Sequence, residues 1–262
     1  MDLGLTGKKA LVLASSQGLG LAIATKLCQE GTDVVISGRS AEKLYDAAAA
    51  LNKKGAGTAS YAVMDLSDQD SARTLYNEAL LKLGHVDILV NNVGGPPPGS
   101  VEAQDMETWR TQFDIMVVRL IEITNLCLPG MRQKKWGRVL TIASSSIIQP
   151  ITVLGISNTI RSALVGWNKS LSNEVAAEGI TLNILAPGRI ETERVLQIDT
   201  MAAKKQGVSV EAVQTASKKT IPIGRYGTVE EFGSVGVFIV SEPASYITGS
   251  IIRCDGGLIR SV

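Results

Sequence analysis

Short runs of β-branched and aliphatic residues alternate with longer segments of helical periodicity along nearly the whole chain. No other feature limits its folds so strongly. The run at 9–14 leads into a glycine-bearing turn and then a helical pattern with Leu19, Ile23 and Leu27 on one face, ending before Gly31. A strand at 34–37, a helix rich in alanine and leucine to about 51, a strand at 61–64, a helix at 67–83 and a strand at 87–91 extend the pattern. Strands at 138–143, 181–186 and 251–254 follow. Parallel strands need helical crossovers, and a parallel sheet must have both faces covered. The expected architecture is therefore α/β, a doubly wound central parallel sheet flanked by helices. No Pro/Ser/Gly-rich or charged linker interrupts the pattern, so residues 1–262 read as one domain with an insert at about 191–222.

At 45% apolar content the 262 residues can bury a sizeable core. A formal net charge of +1 supplies no basic field for nucleic acid or an anionic membrane, and neither is expected as a partner. The apolar run near the start is too short for a signal sequence or a membrane span. Cys28, Cys127 and Cys254 are odd in number and lack metal-ligand spacing, so reduced thiols in a cytoplasmic protein without a metal site are expected. The single histidine, His85, stands at the start of a strand, on the side away from the edge where such sheets bind ligands. The helix at 106–132 is apolar nearly all round, with Phe113, Ile115, Met116, Val117, Val118, Leu120, Ile121 and Ile123. That at 157–177 carries Ile160, Leu164, Trp167 and Leu171. One face of each can cover the sheet; the other needs a partner, and a subunit interface through these two helices is expected.

The turn after the first strand reads Leu13-Ala14-Ser15-Ser16-Gln17-Gly18-Leu19-Gly20. A strand-to-helix turn of this kind points backbone N–H groups and a positive helix end at a pyrophosphate. Met64-Asp65-Leu66, Asn91-Asn92-Val93-Gly94 and Pro187-Gly188, with Ile190 and Thr192, also fall at strand carboxyl ends, where doubly wound sheets bind ligands. Together these segments resemble the short-chain dehydrogenase/reductase family, and the 3-oxoacyl-carrier-protein reductases within it, over about 5–257. The family's Thr-Gly-x-x-x-Gly-x-Gly keeps Gly18 and Gly20 here, while its first two positions are Leu13 and Ala14. The resemblance implies a Rossmann fold, a nicotinamide cofactor and a four-helix dimer contact, often within a tetramer. It also implies cofactor positions. Ser15, Ser16, Gly18, Leu19 and Gly20 would meet the pyrophosphate, and Asp65 with Leu66 the adenine. Asn92, Val93 and Gly94 would lie behind the adenine ribose, and Pro187, Gly188, Ile190 and Thr192 would meet the nicotinamide. The second strand ends Ser37-Gly38-Arg39-Ser40, with no carboxylate for a ribose 2′-hydroxyl. Arg39 can pair with a 2′-phosphate and Ser40 can add a donor, which favours NADP(H) over NAD(H). If Leu13 and Ala14 close the phosphate site, no cofactor binds.

The resembled family works with an asparagine, a serine, a tyrosine and a lysine. This chain has no tyrosine between Tyr76 and Tyr226, and the family's Tyr-x-x-x-Lys falls on Ser157 and Arg161. The asparagine position falls on Met116 and the serine on Ser144, where the run Ser144-Ser145-Ser146 blurs the register. An aliphatic alcohol is a far weaker acid than a phenol, and an arginine charged to above pH 12 cannot shuttle a proton. Lys169 lies roughly 18 Å along the helix from Ser157, at 1.5 Å per residue. A positioned general acid contributes ~10²–10⁴-fold, so standard carbonyl reduction is expected to be slow. Ser144, Ser157 and Arg161, with Asn158 beside them, remain the candidate catalytic set. Gly94-Gly95-Pro96-Pro97-Pro98-Gly99 forms a stiff wall beside it, and Glu191, Glu193 and Arg194 sit where the family keeps its substrate lid. Arg161 can hold the cofactor ribose or a substrate anion, and an arginine in place of a lysine with acidic lid residues nearby suits a polar or anionic small-molecule substrate. Three readings stay open: an NADP(H)-dependent oxidoreductase of small carbonyls or alcohols with an atypical site, a catalytically impaired sensor or oligomerisation partner, and a structural subunit paired with an active homologue.

Overall fold

The computed structural model describes residues 1–261. Seven strands, β1 (Lys9–Val12), β2 (Asp33–Gly38), β3 (Ala59–Val63), β4 (Ile88–Asn91), β5 (Gly137–Ile142), β6 (Ile180–Pro187) and β7 (Ile251–Cys254), form one sheet in the order β3-β2-β1-β4-β5-β6-β7. Every pairing is parallel, for example Leu11 beside Val35 on one side and Leu89 on the other. Side chains of a strand alternate between faces, and β1 shows the consequence. Ala10 and Val12 enter one core with α1 (Gly18–Gln29), α2 (Ala41–Lys54) and α9 (Val229–Ile239). Leu11 and Leu13 enter the other, with α3 (Ser71–Leu83), α5 (Arg119–Lys134) and α6 (Gly155–Val175). This is the doubly wound α/β fold expected of the alternation.

The chain winds outward from β1 to β3, then returns to place β4 on the opposite side of β1. This reversal opens a crevice at the carboxyl ends of β1 and β4. His85 lies at the other end of the sheet, 3.1 Å from a buried Asp87 carboxylate oxygen, as its position before the fourth strand implies. The insert at about 191–222 is built mainly of two helices, α7 (Glu193–Gln206) and α8 (Val210–Lys219). No helix among the described residues is long and apolar enough to cross a membrane.

Three expectations change. Helix α9 went unread, although Thr228 and Glu231 spell a capping box: the Thr228 hydroxyl accepts from the Glu231 N–H at 3.2 Å, and Glu231 accepts from the Thr228 N–H at 2.8 Å. The long helix at 106–132 is interrupted. It runs as α4 (Met106–Phe113), a π-helical turn at Asp114–Val118, and then α5. The sheet-facing sides of both long helices are apolar as expected, but the outward side of α6 is not. Ile160, Leu164 and Leu171 of α6, and Met116, Val117, Leu120 and Ile123 of the long helix, are buried in the core against the sheet. The outward side of α6 presents small residues instead, with Thr159, Ser162, Ala163 and Gly166 exposed.

Candidate active site

The crevice is an open cleft of about 690 Å³. Its walls come from the turn after β1, the ends of β2, β4, β5 and β6, the start of α6 and the first turns of α7.

At the pyrophosphate end, Ala14 adopts φ +44, the left-handed region that the family's glycine would enter without strain. Ala14 itself lines the cleft. Gly18 has φ +61 and only the Thr192 methyl near the space of an added Cβ, at 3.9 Å. Gln17, the N-cap of α1, lends no side-chain bond to the first turn, which also lacks acidic residues. These orphan N–H groups, beside an open glycine, fit a phosphate anion. Gly20 acts differently from what the motif suggested. It is buried, and a Cβ there would stand 2.8 Å from Asn92 Nδ2 and 2.9 Å from the Ala14 carbonyl oxygen. Its absence of a side chain lets Asn92 donate to that carbonyl at 3.0 Å, tying β4 to the turn. Ser15 is also a correction. It is fully buried, donates to the Val12 carbonyl at 2.7 Å and accepts from Ser37 N–H at 3.0 Å, so it stitches β1 to β2 and does not face the cleft.

At the adenosine end, Ser16, Leu19, Arg39, Ser40, Asp65 and Leu66 all line the cleft. The Ser40 hydroxyl caps α2 by accepting from Lys43 N–H at 3.3 Å. Lys43 is an addition: it lines the cleft too, and its ammonium donates to Gln17 Oε1 at 3.1 Å. Arg39 and Lys43 thus make a two-cation corner. Asp65 is held below the usual carboxylate range, chiefly by the Ser67 N–H and less by its hydroxyl and the nearby Arg39 charge.

At the far end, Asn92, Val93, Gly94, Pro187, Gly188, Ile190 and Thr192 line the wall with Ser144, Ser157 and Arg161. Ser144 settles the register: it faces the cleft and accepts from Ser146 N–H at 3.1 Å, while Ser145 and Ser146 are buried. Arg161 is buried and bridges two strand ends, donating to the Ile142 carbonyl at 3.0 Å and the Val93 carbonyl at 3.3 Å. Burial, then the nearby Arg194 charge, pushes its guanidinium down to about 10, against the value above 12 expected from sequence. It remains a cation at neutral pH. Asn158 turns away and bonds the backbone of Ile151 through both amide atoms. Met116 is fully buried, while Gln112 and Ile115, flanking the start of the π-helical turn, line the cleft in its neighbourhood.

From the insert, Glu193 and Arg194 reach the cleft and Glu191 does not. Arg194 donates to the Pro96 carbonyl at 2.9 Å, which joins α7 to the loop after β4. Deeper in the insert, Arg189 bonds a fully buried Asp199 at 2.7 Å, and the Tyr226 hydroxyl donates to the same carboxylate at 3.0 Å. The tyrosine that ends the long gap is therefore spent on anchoring α7. Among the described residues no tyrosine, histidine or cysteine lines the cleft, and its single lysine is Lys43 at the adenosine end.

A family profile described as enoyl-(acyl carrier protein) reductase matches residues 13–259. The 3-oxoacyl-[acyl-carrier-protein] reductase of Aquifex aeolicus is 32% identical over 260 residues, covering 98% of this chain and 100% of its own. The NADPH-dependent reductase BacG of Bacillus subtilis is 30% identical over 257 residues, covering 97% and 99%. Among solved structures, L-sorbose reductase from Gluconobacter frateurii, complexed with NADPH and L-sorbose, superposes over the whole of both chains with a TM-score of 0.94 at 29% identity.

Proposed function

The chain belongs to the short-chain dehydrogenase/reductase family, a family of oxidoreductases, and from that premise we propose that it is an NADP(H)-dependent oxidoreductase of small carbonyl or alcohol substrates with an atypical proton-transfer site. The observation that carries this reading is the continuous cleft from Arg39 and Lys43, past the open glycine turn, to Ser144, Ser157 and Arg161. The Gly18 turn would take the pyrophosphate, and Arg39, Ser40 and Lys43 a 2′-phosphate. Pro187, Gly188, Ile190 and Thr192 would hold the nicotinamide end. NADPH, when bound, supplies a hydride, an electron pair with its hydrogen, for a carbonyl carbon.

The protein's own residues have three tasks around that transfer. Ser144 and Ser157 present hydroxyls to the carbonyl oxygen, or to a water that delivers the proton it needs. Arg161, fixed by two carbonyls, places positive charge where the oxygen becomes negative; preorganised charge of this kind lowers a barrier without reorganisation. The insert carrying α7 covers the cleft as a lid, held by Arg194 on Pro96 and by Asp199 beneath it. BacG and L-sorbose reductase, both tied to NADPH by name or by bound cofactor, support the cofactor assignment. We further propose a cytoplasmic homodimer or homotetramer meeting through the exposed side of α6, in keeping with three unpaired cysteines.

Fluorescence titration with NADPH and NADH tests the cofactor step. Micromolar NADPH binding, weakened toward the NADH level by Arg39→Ala, is expected. Binding of neither nucleotide would overturn the oxidoreductase reading. A specific observation favours a second reading: no phenol or other neutral-pH acid stands beside Ser157. A catalytically impaired cofactor sensor would bind NADPH yet turn over no carbonyl, imine or enone in a broad panel.

A further inference from the structure

We infer that the substrate end of the cleft is a receptor for an anionic group, formed by Arg161 and Arg194, so that the compound reduced or oxidised there carries a carboxylate or phosphate near its carbonyl or hydroxyl. The inference rests on the oxidoreductase reading for its chemistry, but on the charges alone for its ligand class.

Arg161 is 6% exposed and has no carboxylate within 4 Å among the described residues. Buried charges are ordinarily paired, because desolvation without a counter-ion costs several kcal/mol per ion. Arg194, a second cation, lines the same cleft, and its charge disfavours that of Arg161. Arg161 is held by the Ile142 and Val93 carbonyls inside the fold, and half-buried Arg194 donates to the Pro96 carbonyl. Glu193 lines the same cleft but is exposed and bonds neither. A guanidinium has five N–H donors in a planar fork. Arg161 spends two groups on carbonyls and Arg194 one, which leaves donors on both for a planar or tetrahedral oxyanion. A bound anion would relieve the repulsion and the desolvation together. The Ser144 and Ser157 hydroxyls on the same wall suit the neighbouring carbonyl oxygen.

The test pairs each anion with its neutral counterpart: pyruvate with methyl pyruvate, and dihydroxyacetone phosphate with dihydroxyacetone. NADPH consumption is followed at fixed ionic strength, for wild type, Arg194→Gln and Arg194→Lys. The expected result is a preference for one anion, ~10–100-fold in kcat/KM, lost in Arg194→Gln and partly restored in Arg194→Lys. Which pair shows it separates carboxylate from phosphate. Calorimetric titration of the NADP⁺-loaded protein with oxamate and with inorganic phosphate reads the receptor without turnover. Arg194-dependent binding of either by a protein that is idle across the broad carbonyl, imine and enone panel upholds the receptor and favours the impaired-sensor reading over the oxidoreductase one. Equal rates on anion and neutral partner, with no binding of either probe, overturn the receptor while leaving the enzyme. A preference that survives Arg194→Gln, accompanied by lost NADPH affinity, assigns Arg194 to the pyrophosphate and also overturns it.

Discussion

Ala14 holds the backbone of the phosphate turn in a conformation that costs an L-residue roughly 1–2 kcal/mol. Glycine would remove that strain but lose more chain entropy on folding, roughly 0.5–1 kcal/mol. Ala14→Gly is therefore expected to raise stability by about 0.5–1 kcal/mol in urea unfolding, with NADPH affinity unchanged; destabilisation would place Ala14 outside the left-handed region. Val153 is strained more severely for a β-branched residue, at φ +63, and its carbonyl accepts the Gly99 N–H at 2.7 Å just before the helix that carries Ser157. Ser157 and Arg161 keep the four-residue spacing of the pair in the resembled family. Ser157→Tyr with Arg161→Lys is expected to raise ketone reduction by ~10²-fold or more, the usual worth of a general acid. No gain in a folded double variant would mean that Met116, buried where the family has asparagine, also limits proton delivery. The outward turn of Asn158 and the burial of Ser15 were not legible, since Asn158 bonds the loop backbone at Ile151 and Ser15 bonds its own strand at Val12 and the adjoining strand at Ser37.

At the scale of elements, the starts of β1 and β2 are joined by Lys9 and Asp33, which pair directly, while Asp33 also accepts from Thr58 N–H at 2.8 Å and its hydroxyl at 2.6 Å. The Lys9 bond foremost, with those from Thr58, holds the Asp33 carboxyl down to about 2. A carboxylate depressed on folding stabilises the protein above its unfolded value, near 3.8, and that contribution is lost as pH falls toward 2. Asp33→Asn should therefore lower stability at pH 6 and flatten the decline between about pH 4 and 2. Melts across that range check it, and an unchanged slope would remove Asp33 from the acid response. Strand and helix identity followed the periodicity well. Helix α9 escaped despite its Thr228–Glu231 box, and the π-helical turn at Asp114–Val118 has no pattern of its own, because one wider turn barely changes which residues are apolar.

Across the whole molecule, the insert carrying α7 depends on a carboxylate that no solvent reaches. Asp199 of α7 is held by Arg189, just past β6, and by Tyr226, ahead of α9. Tyr226→Phe leaves one Asp199 oxygen without its partner, at a cost of ~1–3 kcal/mol. Amide exchange in α7 should accelerate while that of β1 and β4 stays unchanged; equal protection in wild type and Tyr226→Phe would show that α7 is fastened elsewhere. The alternation of strand and helix patterns determined the parallel sheet by itself, since parallel strands must be covered on both faces. The turn glycines and strand-end motifs likewise determined where a dinucleotide would lie. Only the tertiary structure decided which side chains reach the cleft. Lys43, Gln112 and Arg194 come to it from separate helices, Tyr226 is drawn away to Asp199, and Arg161 and Arg194 line one cleft with no ion pair to Arg161 or Arg194 among the described residues. The physical reason is range. Periodicity and turn chemistry act between near neighbours, whereas charge and desolvation depend on groups brought together only when the chain has closed on itself.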